Sequence, residues 1–220
     1  MKKITLIATL VMTALLTPLA ANAQFGALLG GGTKTDSKTA APDPEVFLKT
    51  AAEADGLVRK SADTLFLAVA TKDQIDAQAD TLKAANAITN AGEKEAAVKK
   101  AQDDQQAQLA KVDWSAKSTE IGKTMDAKKK EQIGASIYNF VLGMLKDKEL
   151  VSQGQGLISS LSSNPMALGK LGKVKDVMSS LTGQMGNIGT IASGIQKLSS
   201  VVGLKALPAS ASDKPQANAD

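Results

Sequence analysis

The stretch DPEVFLKTAAEADGLVRKSADTLFLAV, residues 43–69, decides the fold class. Asp43 precedes Pro44 and Glu45, which supplies a capping carboxylate, a proline at the first helical position and an acid in the first turn. Apolar or small residues then recur at spacings of three and four: Phe47, Ala51, Ala54, Val58, Ala62 (with Ser61 beside it), Leu65 and Val69. That period belongs to an α-helix burying one face.

The same signals continue downstream. Thr71 and Gln74 have capping-box spacing and open a second helix, whose expected buried face is Ile75, Ala79 and Leu82. It is expected to break at Asn90-Ala91-Gly92. Residues 93–112 are so polar that Val98, Ala101, Leu109 and Val112 form their only stripe, and such a helix needs a partner. A turn is expected around Asp113-Trp114-Ser115. Ile133, Ile137, Phe140, Val141, Met144 and Leu145 then mark the most apolar helix and the expected core. No alternating run of β-branched residues stands between turn residues. The prediction is an all-α fold, an elongated bundle of about five to six helices.

Residues 154–204 differ in style. Half of the 18 glycines lie there, serine is dense and charges are few. Asn164-Pro165 reads as a cap followed by a first-position proline. From Leu171 the stripe runs through Val174, Met178, Leu181, Met185, Ile188, Ala192, Ile195, Ser199 and Val202 with spacings of three and four, a heptad pattern. Three readings compete. The first is a helical hairpin packed on the N-terminal helices, bent at 183–189, because glycine inside a helix costs up to about 1 kcal/mol relative to alanine. The second is self-association or docking of a protein partner along Leu171, Val174, Met178, Leu181, Met185, Ile188, Ile195 and Val202. The third is a membrane-active segment, with small residues at close spacing and Lys170, Lys173 and Lys175 facing anionic lipid.

Residues 1–23 read as a cleavable signal peptide. Lys2 and Lys3 form a basic n-region, residues 4–16 are mainly apolar, Pro18 breaks the helix, and Ala21-Asn22-Ala23 suits a signal peptidase. The apolar run is shorter than the about 20 residues a membrane span needs. No cysteine stands near the cleavage position to carry a lipid. Export to a bacterial periplasm, or secretion, is the expectation. Residues 24–42 then form a flexible leader, 43–204 the helical domain (charged helical part 43–150, Gly/Ser-rich part 154–204), and 205–220 a disordered tail.

Composition excludes more than it assigns. The chain has no histidine and no cysteine. That removes disulfides, Ser-His-Asp and Cys-His nucleophilic chemistry and ordinary zinc sites. The formal net charge is +4, half of it from Lys2 and Lys3, too weak a balance for nucleic acid. Aromatic residues are only 3% of the chain, so its core must rest on Ala, Leu, Ile, Val and Met.

The remaining motifs have plainer explanations. Gly30-Gly31-Gly32-Thr33-Lys34-Thr35 lacks the Gly-Lys-Ser/Thr of a phosphate loop. Asp73, Asp76 and Asp80 share a helix face, but no calcium-loop pattern accompanies them and Lys72 and Lys83 lie close. Glu45/Lys49, Asp55/Arg59, Glu95/Lys99 and Asp126/Lys130 have the spacing of helix-surface ion pairs. Lys128-Lys129-Lys130 fits a wet helix face better than a lipid contact, and Trp114 fits a structural role better than a binding anchor. A hydrolase built on two carboxylates lacks the aromatics that stack a sugar.

The expected function is that of an exported, non-enzymatic binding, accessory or scaffold protein of the cell envelope, with no cofactor and no metal. A peripheral membrane protein acting through residues 154–204 is the alternative. Export makes a direct prediction: amino-terminal sequencing of the exported chain starts at Gln24. Recovery of the chain with residues 1–23 attached, in the membrane fraction, contradicts it.

Overall fold

The computed structural model describes residues 43–163 and 168–217, together with the backbone but not the side chains of 186–190. The expected signal peptide, the leader and the Asn164-Pro165 cap lie outside them. The described residues are all-helical, with no strand among them: α1 Pro44–Val69, α2 Lys72–Asn86, α3 Ala91–Leu109, α4 Trp114–Thr124, α5 Ala127–Ser162 and α6 Leu168–Val201.

Side-chain caps set most of the boundaries. Asp43 accepts from the Glu45 amide at 2.7 Å, and Asp113 from Ser115 and Ala116 at 3.0 and 3.1 Å. Thr71 and Gln74 form the expected capping box. Asn90 caps α3 through Glu93, and Asp126 caps α5 through Lys129. Each cap satisfies a first-turn N–H that the helix itself leaves unpaired.

The framework is an antiparallel trio of α1, α5 and α6. The most extensive packing is α1 on α5, followed by α5 on α6; α4 lies on α6, α2 on α3, and α3 reaches both α1 and α6. With 36 residues, α5 is about 54 Å long. The predicted face of α1 is the buried one: Phe47, Ala51, Ala54, Val58, Ser61, Ala62, Leu65 and Val69 all lie inside. Ile133, Ile137, Phe140 and Val141 of α5 share a cluster with Val58, Ala62, Leu65 and Val69 of that face, as expected of the core helix.

The apolar interior divides into two clusters along this trio. One gathers Val58, Leu65, Ile137, Phe140, Ile191, Ile195 and Leu198 with Trp114 and Ile121. The other gathers Phe47, Ala51, Ala54, Leu150, Leu157, Leu161, Val174 and Leu181.

Several expectations change. No break interrupts α6 at 183–189, where a bend is expected: its helical backbone runs from Leu168 to Val201. Packing on α5 outweighs the modest intrinsic penalty of the glycines. The second helix ends at Asn86, and Asn90 starts the next helix rather than closing the previous one. The α2 face is rotated: Gln78 and Ala85 are buried, whereas Ala79 is exposed and Ile75 and Leu82 are half-buried. Gln78 is drawn in because its amide donates to the Ala101 carbonyl of α3 at 3.0 Å.

The segment from Lys205 to Gln216, expected as disordered tail, folds back on α5. Leu207 is buried, and Asn139 exchanges two 2.8 Å hydrogen bonds with the Gln216 backbone. Composition alone favoured disorder, but one buried amide and one leucine anchor it.

Small residues permit the close approaches. A Cβ on Gly143 would stand 2.7 Å from Val58 Cγ2 and 3.1 Å from the Ala54 carbonyl, and one on Gly194 would overlap the Trp114 indole. Gly156 of α5 meets nothing within 4 Å. The same substitution therefore has opposite signs. Gly143→Ala and Gly194→Ala lose about 1–3 kcal/mol by overpacking, and Gly156→Ala gains about 0.5–1 kcal/mol from helix propensity. Urea unfolding measures all three, and equal effects would contradict this packing.

Candidate functional site

The α6 stripe expected to face a partner faces the protein's own interior. Val174, Leu181 and Ile195 are buried, and Leu171, Met178 and Val202 are half-buried against the two clusters. Only Met185 is classed as exposed, and the Ile188 side chain lies outside the described set. The stripe is a core face because α5 and α1 offer matching apolar stripes that cover it. Trp114 is also buried, over Gly194, so it is no surface anchor.

The other motifs stay on the surface. Asp73, Asp76 and Asp80 are exposed, Lys72 pairs with Asp76, and no acid cluster among the described residues has the make-up of a metal site. Lys130 donates to the Gly122 carbonyl at 2.9 Å, tying α5 to the end of α4. Of the four predicted helix-surface pairs, only Asp55–Arg59 is among the ion pairs described. Glu45 meets Lys170 of α6 instead, and Lys99 meets Asp103. For Glu45 a neighbour brought in by the fold replaces the local partner, whereas Lys99 takes the acid four residues after it rather than the one four residues before.

The concave feature lies elsewhere. Between α1, α3 and α6 is a cleft of about 750 Å³. Leu48, Ala51, Val98, Val177 and Leu181 supply apolar wall, and Asp55, Arg59, Gln102 and Gln184 supply polar wall. A smaller hollow beside it shares Lys99, Asp176, Ser180 and Gln184. Lys99 donates to Ser180 Oγ at 3.1 Å, joining α3 to α6 across it.

Arg59, the only arginine in the chain, anchors the cleft. Its Nε lies 2.7 Å from Asp55, its Nη1 donates to Gln102 of α3, and Asp103 is 3.9 Å away. A planar guanidinium can hold three such partners in one geometry, as an ammonium cannot. Across the cleft, Gln184 Nε2 donates to Asp55 Oδ1 at 2.6 Å. The chain Gln102–Arg59–Asp55–Gln184 therefore links the three helices.

Behind this chain is a polar interruption of the core. Asp147 of α5 is fully buried, and neither of its carboxylate oxygens has a hydrogen-bond partner. Gln184 Oε1 is likewise buried and unpaired. Burial, and secondly the negative charge of Asp55, push the Asp147 carboxyl up to about 7. Burial also raises Asp63, against the opposing hydrogen bond of Gln105 and charge of Arg59.

In the sequence Arg59 stands out only as half of a surface pair, and Asp147 and Gln184 do not stand out. A signal was present. Phe140, Gly143, Asp147, Leu150, Gly154, Leu157 and Leu161 are all buried and keep three- and four-residue spacing, so Asp147 occupies a core position. The flanking Lys146, Lys148 and Glu149 disguised it as surface.

No known family, no curated protein and no solved structure matches this chain. The cleft therefore has to be interpreted from its own chemistry.

Arg59→Ala should cost about 1–2 kcal/mol, allowing for the partial exposure of Asp55. Hydrogen exchange should then accelerate across 91–109 more than in α5. Protection unchanged in α3 would show that Arg59 does not hold it.

Proposed function

We propose that this chain is an exported, non-enzymatic binding protein of the bacterial cell envelope, and that the cleft between α1, α3 and α6 is its binding surface. The observation that carries the proposal is a 750 Å³ cleft with apolar walls and a prearranged polar network. Its volume lies within the about 300–1,000 Å³ of small-molecule sites. Export rests on the reading of residues 1–23. The non-enzymatic reading rests on the lack of histidine and cysteine in the sequence.

The lining supports one ligand class over others. Asp55, Glu95 and Asp176 balance Arg59, Lys94 and Lys99, so no net field selects an anion or a cation. The apolar walls favour burial of hydrocarbon, while Gln102 and Asn86 offer hydrogen bonds. The ligand class is a neutral or zwitterionic amphipathic molecule. The membrane reading is the weaker of the two, because among its described side chains α6 spends most of the apolar ones on the core and leaves Leu168 and Met185 as the exposed large ones.

Native mass spectrometry of the exported chain, purified without denaturation, tests the proposal. The expected result is a bound small molecule, or one acquired from an envelope extract, that is lost in Ala52→Trp. Ala52 lies at the exposed edge of the cleft, so tryptophan there blocks the opening without entering the core. Absence of any bound species in both preparations, or retention of the species by Ala52→Trp, would overturn it.

A further inference from the structure

Two acceptor groups are buried at one level of the helical trio without a donor between them. Gly154 of α5 meets Met178 of α6, and Leu150 and Leu181 share a cluster. One further turn along each antiparallel helix brings Asp147 and Gln184 to the same level. The amide of Gln184 already commits its Nε2 to Asp55 on the cleft side. Its Oε1 and both oxygens of Asp147 are buried and unpaired. An amide between two carboxyl groups can donate to one and accept from the other only if the second carries a proton.

We propose that Asp147 is a protonated carboxylic acid that donates its O–H to Gln184 Oε1, and that loss of this proton rearranges the cleft. The proton is held covalently on one Asp147 carboxyl oxygen; as pH rises that O–H bond breaks, the electron pair stays on the carboxylate and the proton leaves to solvent.

The surroundings contain little to stabilise an anion there. On α1, Asp55 is a like charge, and Arg59 is engaged by Asp55 and Gln102. On α6 no charged residue lies between Asp176 and Lys197. On α5 itself, Lys146 is half-buried and Lys148 exposed, each one residue from Asp147 and so pointing about 100° away around the helix. The elevated pKa given above agrees with this arrangement. Once ionised, Asp147 competes with Asp55 for the Gln184 amide hydrogens, and the link from α6 to Arg59 is lost.

The folded protein retains a proton that the unfolded chain releases above its ordinary carboxylate value of 3.8. The Asp147 contribution therefore weakens folding as pH rises from about 4 to about 7 and is constant above, up to tenfold in the unfolding constant per pH unit.

Titration of ¹³C-aspartate-labelled mature protein by NMR, with Asp147→Asn identifying the resonance, tests the proton directly. The expected result is an Asp147 midpoint near neutrality, lowered by Asp55→Asn, which removes the like charge. Relative to wild type, Asp147→Asn should gain stability as pH rises across that window. Because the chain has no cysteine, spin labels at Ala96→Cys and Lys175→Cys report the α3–α6 separation. It should change through the same midpoint in wild type and stay constant in Asp147→Asn.

An Asp147 that titrates as an ordinary carboxylate overturns the proposal, as do labels that do not move with pH. The wild-type titration needs no variant to fold. The protonation rests on the burial and the missing partners of Asp147 and Gln184; only its meaning for a ligand rests on the binding function proposed above. Failure here leaves the mass-spectrometric test of the cleft untouched, and failure there leaves this titration standing.

Discussion

The close packing of α1 on α5 is the constraint from which the rest of the structure follows. Gly143 lets the Val58 side chain and the Ala54 carbonyl approach α5 closely. Two long helices held at that separation present a shared apolar trough, and α6 fills it along most of its length. Large aromatics would force the helices apart. The core instead uses Ala, Leu, Ile and Val, with Phe47, Phe66, Phe140 and Trp114 at particular positions.

The trio also explains where the polar residues go. α3 is too polar to bury a continuous stripe and is held by selected contacts: Gln78 to Ala101, Arg59 to Gln102 and Lys99 to Ser180. A helix attached by hydrogen bonds rather than by a wide apolar face leaves space beside it, and that space is the cleft. The same residues that make α3 a weak core helix make its edge a polar wall of that cleft.

The polar layer at Asp147 and Gln184 separates the two apolar clusters and lies directly behind the cleft. A buried acid with no cation to pair with is costly, and replacing it with an apolar side chain is often stabilising. Its presence at a core position is therefore a local conflict between sequence pattern and fold, and such conflicts concentrate at functional positions. Its position links the chemistry of the interior to the wall of the cleft through Gln184.

The amino-acid sequence by itself determined the helical class, the α1 face, the capping box at Thr71 and the core role of α5. These depend on residues within one or two turns of each other. Tertiary structure decided what the stripes face. The α6 heptad pattern specifies an apolar face but not its partner, so an intramolecular core and an intermolecular seam look alike until α5 is seen covering it. The glycines at 183–189 permit a bend, yet packing kept the helix continuous. Asp147 looked like surface beside its lysines, and Arg59 looked like half of an ion pair. Only the fold brings residues from α1, α3, α5 and α6, distant along the chain, to one level, because that proximity is set by helix register rather than by local spacing.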